Sequence, residues 1–157
     1  MNINMEERVF KRKIYRKLLE WKDQDNGSTA LLVEGARRIG KSTIVEEFAK
    51  NEYESYMLID FSVAPKEVKD LFKDISNLDV LFTFLQLKYN VSLIPGKSLI
   101  IFDEIQKWPL ARQAIKHLVK DGRYHYIGFT EKVQYSGLYC SLYMAPSRQL
   151  ASSTTLT

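Results

Sequence analysis

Residues 35–42 read Gly35-Ala36-Arg37-Arg38-Ile39-Gly40-Lys41-Ser42, and this stretch decides the fold that the sequence predicts. Its spacing matches G-x-x-x-x-G-K-[ST], the pattern of a loop that binds phosphate. An apolar run at 29–34 precedes the loop, and a segment of helical character at 43–50 follows it. Because a strand, this loop and a helix in that order are the context the pattern requires, the sequence predicts a P-loop.

The residue types in the loop each suit phosphate binding. Glycines let the backbone wrap a phosphate chain in conformations that a side chain would forbid. Backbone N–H groups and the positive end of the following helix then face the anion. We expect Lys41 to reach the β- and γ-phosphates and the Ser42 hydroxyl to ligate Mg²⁺. The alternative is a glycine-containing turn between a strand and a basic helix.

A second motif further along the chain favours the phosphate-binding interpretation. The apolar residues Leu99-Ile100-Ile101-Phe102 are followed directly by Asp103 and Glu104. A buried strand would deliver both acids to its carboxyl end, where ligands bind in open α/β sheets. We expect Asp103 to hold Mg²⁺ through its water shell and Glu104 to polarise an attacking water. The alternative is a strand that simply ends in two acids.

Composition and charge exclude several other classes of protein. The chain has 157 residues, 45% of them hydrophobic and 27% charged, which suits one globular domain. No apolar run of about 18 residues occurs, and the acidic first residues do not resemble a signal peptide. The single cysteine, Cys140, excludes an internal disulfide framework and a cysteine-built zinc site. We therefore expect a cytoplasmic protein without a membrane contact.

The net charge of +4 comes largely from a basic segment at 8–17. This segment is interpreted as the solvated face of an amphipathic helix, and a nucleic-acid patch is the alternative. The helix is predicted over 6–21, with Val9, Ile14, Leu18 and Trp21 at near-helical spacing.

Further periodicity predicts alternating strands and helices. Strands are expected at 30–33, 56–61 and 98–103, with another beginning near 124, and helices at 41–50, 65–72, 80–89 and 110–120. The helices at 65–72 and 80–89 should cover the sheet with Val68, Leu71, Phe72, Leu81, Phe84, Leu85 and Leu87. The helix at 110–120 should bury Ala111, Ala114, Ile115, Leu118 and Val119. We expect His117 and His125 to have structural roles.

This order predicts an α/β fold, a three-layer P-loop NTPase core with a mostly parallel sheet that is incomplete at its carboxyl end. We divide the chain into an N-terminal helix and linker at 1–28, an ATPase core at 29–130 and a tail at 131–157. Residues 132–157 contain only two charged residues, Lys132 and Arg148. It is expected to be poorly ordered or to add a single strand around 138–144, with Cys140 an incidental thiol.

Several blocks of sequence, in order, resemble prokaryotic AAA+ ATPases, and most closely the archaeal-type ATPases with an uncharacterised C-terminal domain. The resemblance covers about 8–127 and is carried by the segments 35–43, 58–61, 101–106 and 111–116. It implies ATP and Mg²⁺ binding, a Walker A role for Gly35 to Thr43, and Walker B roles for Asp103 and Glu104. It also implies that the strand near 124 lies between the P-loop strand and the Asp103 strand. A homo-oligomer is an option for the full-length parent, whose oligomeric state the sequence does not reveal.

The resemblance ends after Ile127. The family typically continues with Glu-Thr-Gly-Ser, whose polar residue senses the γ-phosphate, whereas this chain reads Gly128-Phe129-Thr130-Glu131. Thr130 comes one residue late, which reverses the direction of its side chain in a strand. We interpret the tail as the product of a frameshift or rearrangement near codon 128.

The sequence therefore predicts Mg²⁺-dependent ATP hydrolysis. The cofactor-binding residues are expected to be Gly35, Ala36, Arg37, Arg38, Ile39, Gly40, Lys41, Ser42 and Thr43, the metal ligands Ser42 and Asp103, and the catalytic residues Lys41 and Glu104. Three alternatives stay open: a nucleotide binder with little turnover, a P-loop phosphotransferase, and a defective fragment that exposes apolar surface. The protein or nucleic-acid target of the ATPase is not predicted.

Overall fold

The computed structural model describes residues 5–35, 41–131, 140–146 and 152–156. Helices and strands alternate along most of this length, as the periodicity predicts. In chain order the elements are α1 (Met5–Asp25), β1 (Thr29–Gly35), α2 (Lys41–Glu52), β2 (Ser55–Asp60), α3 (Lys66–Leu71), α4 (Leu78–Tyr89), β3 (Ser98–Asp103), a 3₁₀ turn (Ile105–Lys107), α5 (Pro109–Asp121), β4 (His125–Glu131), β5 (Cys140–Pro146) and β6 (Ser152–Leu156).

The strands of the described residues form one sheet in the order β2-β3-β4-β1-β5-β6. The pairs β2–β3, β3–β4 and β4–β1 are parallel, and Ile127 of β4 lies between Ile101 of β3 and Leu31 of β1. The prediction that the strand after residue 124 separates the two motif-bearing strands is confirmed. This crossover order brings strands that are distant in sequence side by side.

Helices cover both faces of the parallel part of the sheet. On one face, α1 and α2 pack against Leu31, Val33 and Ile127. On the other face, α3, α4 and α5 pack against Met57, Ile100 and other residues that point the opposite way. Successive side chains of a strand alternate between faces, so strands that are apolar throughout supply both cores. The predicted three-layer α/β fold is confirmed.

Helix α1 buries a different stripe from the one that the sequence predicted. Ile14, Leu18 and Trp21 are buried as expected, but the fourth residue is Phe10, which is 6% exposed, whereas Val9 is 44% exposed. One residue turns the helix by about 100°, so Val9 lies farther than Phe10 from the line of Ile14, Leu18 and Trp21. Phe10 continues the four-residue step from Ile14, and the prediction for Val9 was wrong.

Helix α4 differs from the prediction in the same way. Leu81 and Leu85 are buried, but Phe84 and Leu87 are 38% and 78% exposed, and Phe82 is buried instead. Leu71 of α3 is only partly buried. Because α4 is apolar nearly all round, its sequence pattern does not single out the buried face.

Helix α5 is buried through the residues that the sequence predicted. Ala111, Ala114, Ile115, Leu118 and Val119 all lie in the core. The helix has Pro109 in its first turn and ends at Gly122, whose φ of 79° is left-handed. These are the positions that proline and glycine favour at helix ends.

The described part of the tail forms two strands. β5 pairs antiparallel with β1, and it overlaps the segment that the sequence predicted as a strand. β6 pairs antiparallel with β5 and has no counterpart in the prediction. The division into 1–28, 29–130 and 131–157 and the frameshift stay predictions. Within the described ranges, none of the helices combines the length and the apolar character needed to cross a membrane.

Candidate nucleotide site

The carboxyl ends of β1, β4 and β3 lie next to each other at one edge of the sheet. β1 ends at Gly35 and β3 ends at Asp103, and both strands run parallel to the intervening β4. Two strand spacings amount to roughly 10 Å, which is within the span of a triphosphate and its metal. The topology thus brings the start of the predicted phosphate loop and the acidic strand end to the same edge.

The phosphate loop itself is described only at its two ends. Ala36, Arg37, Arg38, Ile39, Gly40 and the side chain of Lys41 lie outside the described residues. Gly35 is buried, Ser42 is partly buried and Thr43 is exposed, the last two in the first turn of α2. The first turn of α2 has no acidic side chain, so nothing on that turn offsets the partial positive charge of the helix start.

Helix α2 is held against the sheet by apolar residues on one side. Ile44, Val45, Phe48 and Ala49 are buried in the core that also contains Leu31 and Val33 of β1. Because α2 follows β1 after a short loop, its amino end must lie at the carboxyl edge of the sheet. The buried side of α2 and its short connection to β1 therefore place the start of the helix at the edge where Asp103 lies.

The backbone around Asp103 is held by neighbouring strands. Asp103 is in register with Asp60 at the end of β2, and the Phe61 N–H donates a hydrogen bond to the Asp103 carbonyl oxygen at 3.0 Å. The side chain also accepts a bond, since the Glu104 N–H donates to Asp103 Oδ1 at 2.9 Å. Asp60 Oδ1 accepts instead from the N–H and hydroxyl of Ser62, at 2.9 and 2.6 Å.

The oxygen donors present suit Mg²⁺. Mg²⁺ prefers hard oxygen ligands and is commonly held by one or two protein groups together with phosphate oxygens and water. The Asp103 carboxylate and the Ser42 hydroxyl are donors of this kind, on elements that meet at one edge. These two residues would hold the ion.

Glu104 turns the chain away from the sheet in an uncommon conformation. Its φ and ψ are 51° and 42°, the left-handed region that non-glycine residues seldom adopt. The following 3₁₀ turn is closed by the Lys107 N–H, which donates to the Glu104 carbonyl oxygen at 2.9 Å. Backbone conformations of this kind persist only where the surroundings hold them, and they cluster at functional sites.

The 3₁₀ turn after Glu104 is anchored to the core by Ile105. This side chain is fully buried and lies over Gly128 of β4, where an added Cβ would be 3.6 Å from Ile105 Cδ1. Trp108 fixes the far end of the turn, because its indole N–H donates to the Lys69 carbonyl oxygen at 2.9 Å. Both contacts support the backbone that presents Glu104.

Gln106 is a site residue that the sequence reasoning missed. Its side-chain N–H donates to Glu104 Oε2 at 2.6 Å, so it contacts the predicted catalytic carboxylate directly. No helical spacing rule identifies it, because residues two apart in a helix do not face each other. The contact forms where the left-handed backbone of Glu104 leads into the 3₁₀ turn.

The strand end where the resemblance expects a polar residue carries an apolar one. Phe129 is 1% exposed and packs in the core beneath α1 and α2. Thr130 is 6% exposed, and successive residues of a strand point to opposite faces. No hydroxyl therefore points from β4 in the direction of the Phe129 side chain.

The two histidines lie outside both motifs. His125 begins β4, at the opposite end of the strand, and is 5% exposed. Its Nδ1 is hydrogen-bonded to the Tyr53 hydroxyl at 2.7 Å, and burial lowers the pKa of its imidazole below 6.5. His117 is an exposed residue of α5.

A cavity of about 830 Å³ lies beside α5, on the face opposite α2. Leu32, Phe72, Ile75 and Leu110 line it with apolar surface, and Lys73, Arg112 and Lys116 add positive charge. Its described lining includes no residue of α2 and neither Asp103 nor Glu104, so we do not assign the nucleotide to it.

Comparison with known proteins agrees with the geometry. The family model described as AAA domain matches residues 27–133, and no curated protein matches the chain in a sequence comparison. The matched segment contains both motifs and runs from the turn before β1 through the end of β4. A match over more than half of the length shows the family. The chain belongs to the AAA domain family of P-loop ATPases.

Proposed function

We propose that this chain binds ATP with Mg²⁺ and hydrolyses its terminal phosphate bond. The observation that carries the proposal is the common edge at which β1 ends in Gly35 and β3 ends in Asp103 and Glu104. Membership of the AAA domain family supports nucleotide binding.

The proposed roles follow from the chemistry of each group. The backbone N–H groups of 35–43 and the Lys41 ammonium surround the β- and γ-phosphates and stabilise the charge that develops on them. Ser42 and Asp103 hold Mg²⁺, which when bound neutralises phosphate charge. Glu104 orients a water toward the γ-phosphorus and accepts its proton. The bond from the γ-phosphorus to the bridging oxygen breaks, which leaves ADP and inorganic phosphate.

A second candidate is a nucleotide-binding domain that turns over very slowly. The observation that favours it is Phe129, an apolar and buried residue where the resemblance expects a polar γ-phosphate contact. In this alternative the same loop binds ATP. The wild-type protein, however, releases phosphate no faster than a variant that lacks the Glu104 carboxylate.

Two substitutions test the proposal. Lys41→Ala should weaken ATP binding by roughly 10- to 100-fold, because charged contacts to phosphate are lost. Glu104→Gln should keep the ATP affinity but lower phosphate release by roughly 100-fold or more, because the amide cannot accept the proton. Calorimetric titration with and without Mg²⁺ gives the affinity, and phosphate release gives the rate.

Lys50→Ala is the matched control, since Lys50 is an exposed residue at the other end of α2. It should leave both measurements unchanged. Unchanged affinity in Lys41→Ala would refute the nucleotide site. Tight binding with equal phosphate release in the wild type and Glu104→Gln would instead favour the slow binder.

A further inference from the structure

The contact between Gln106 and Glu104 fixes the orientation of both side chains. Gln106 Nε2 lies 2.6 Å from Glu104 Oε2, a short hydrogen bond between an amide and a carboxylate. The opposite orientation of the amide would bring two oxygens to the same separation, which an ionised carboxylate forbids. Gln106 is therefore the donor and the Glu104 carboxylate the acceptor.

The other half of the Gln106 amide has no partner among the described residues. Its Oε1 is buried and accepts no hydrogen bond from the part of the chain that the structure describes. Leaving a buried acceptor unpaired opposes folding, and the penalty is of the same order as the gain from one charged hydrogen bond. A methionine or leucine would fill similar space without that penalty. Stability alone therefore gives no reason for an amide at this position.

The hydrogen bond to Glu104 offers a functional reason for an amide at position 106, where stability offers none. A glutamate side chain rotates about several bonds, and Glu104 is only partly buried. The Gln106 bond holds one carboxylate oxygen, Oε2, and leaves Oε1 to accept another hydrogen bond. Positioning a general base before the reaction raises the rate of the chemical step without changing how tightly substrate binds.

We propose that Gln106 is a positioning residue that holds the Glu104 carboxylate toward the attacking water. This inference rests on the proposed ATP hydrolysis and adds to it the group that orients the base. Gln106 itself contacts neither the nucleotide nor the water in this proposal, and it acts entirely through Glu104.

Gln106→Met is the first test, because methionine has nearly the same length and cannot donate a hydrogen bond. The value of kcat should fall by about tenfold, because the carboxylate is no longer held, while KM and ATP affinity stay the same. The thermal midpoint should stay equal or rise, since the unpaired oxygen is also removed. Steady-state phosphate release and thermal melting measure the two effects.

Gln106→Glu is the second variant and keeps the side-chain length. Its introduced carboxylate repels Glu104, so kcat should fall at least as far as in Gln106→Met. In a Glu104→Gln background, Gln106→Met should cause no further loss, because a residue that acts through Glu104 has nothing left to orient. Gln113→Met makes the same change at an exposed position of α5 and should keep the wild-type rate.

The outcomes separate this inference from the proposed function. Wild-type kcat in Gln106→Met, a large drop in its thermal midpoint, or a further loss in the Glu104→Gln background would each overturn the positioning role alone. A wild-type rate no higher than that of Glu104→Gln would refute hydrolysis, and the positioning role would then fall with it.

Discussion

Buried polar atoms without partners are the most informative feature at the scale of single residues. Two are found among the described residues, Gln106 Oε1 and the Tyr126 hydroxyl. Gln106 lies beside a proposed catalytic carboxylate, which offers a functional reason for the unpaired atom. Tyr126 lies within β4, 1% exposed, with its ring stacked on Phe102 at a centroid distance of 6.2 Å. The ring accounts for the packing of Tyr126, and its hydroxyl adds only a desolvation cost.

Tyr126→Phe should therefore stabilise the protein. Removing a buried hydroxyl that has no partner should raise the free energy of unfolding by about 1 kcal/mol, while the ring keeps its stacking. Urea unfolding monitored by circular dichroism measures the change. Tyr53→Phe is the matched control, because its hydroxyl bonds His125 Nδ1 at 2.7 Å, and this variant should lose about 1 kcal/mol. A stabilised Tyr53→Phe or a destabilised Tyr126→Phe would contradict the argument.

At the scale of elements, the turn that joins α1 to β1 shows how packing specifies a loop. Asn26 and Gly27 both have positive φ, 44° and 85°, so the chain reverses within two residues. Gly27 lies against the buried ring of His125, and an added Cβ would be 2.8 Å from its Cδ2 atom. The turn thus needs glycine for two reasons, backbone conformation and space.

Gly27→Ala should destabilise the protein by roughly 2–3 kcal/mol, through left-handed strain and the overlap with His125. Gly96→Ala separates the two causes, because Gly96 has a φ of 76° but nothing within 4 Å of an added Cβ. That variant should lose only about 1 kcal/mol. Chemical denaturation of both variants gives the comparison, and equal losses would mean that the His125 contact contributes nothing.

At the scale of the whole molecule, His125 connects the layer of α1 and α2 to the start of β4. Its ring makes edge contacts with Trp21 of α1 and with Tyr53, which follows α2. Burial lowers the pKa of His125 below 6.5, and the nearby Lys22 ammonium lowers it further. The folded protein therefore prefers the neutral imidazole, and the unfolded chain binds a proton more readily.

Stability should fall when the pH drops below about 6.5. A group whose folded pKa is lowered contributes stability that is fully present above its unfolded pKa and is lost as pH falls toward the folded pKa. The loss from one proton is at most about 1.4 kcal/mol per pH unit. Urea unfolding between pH 7.5 and 5 should show this dependence in the wild type and a shallower one in His125→Gln. Parallel curves for the two proteins would exclude His125 as the cause.

Local patterns in the sequence determined the alternating elements, the buried side of α5 and the acidic end of β3, because each depends on a short period or a fixed spacing. The phosphate loop stays a prediction, since residues 36–40 lie outside the described part of the chain. Only the tertiary structure decided that Phe10 rather than Val9 is buried. Both residues are apolar, and the packing of α1 on the sheet determines which side of the helix is covered. The tertiary structure also decided that Gln106 meets Glu104. That contact forms where Glu104 has a left-handed backbone, which the packing of Ile105 and its neighbours supports and which no residue pattern specifies.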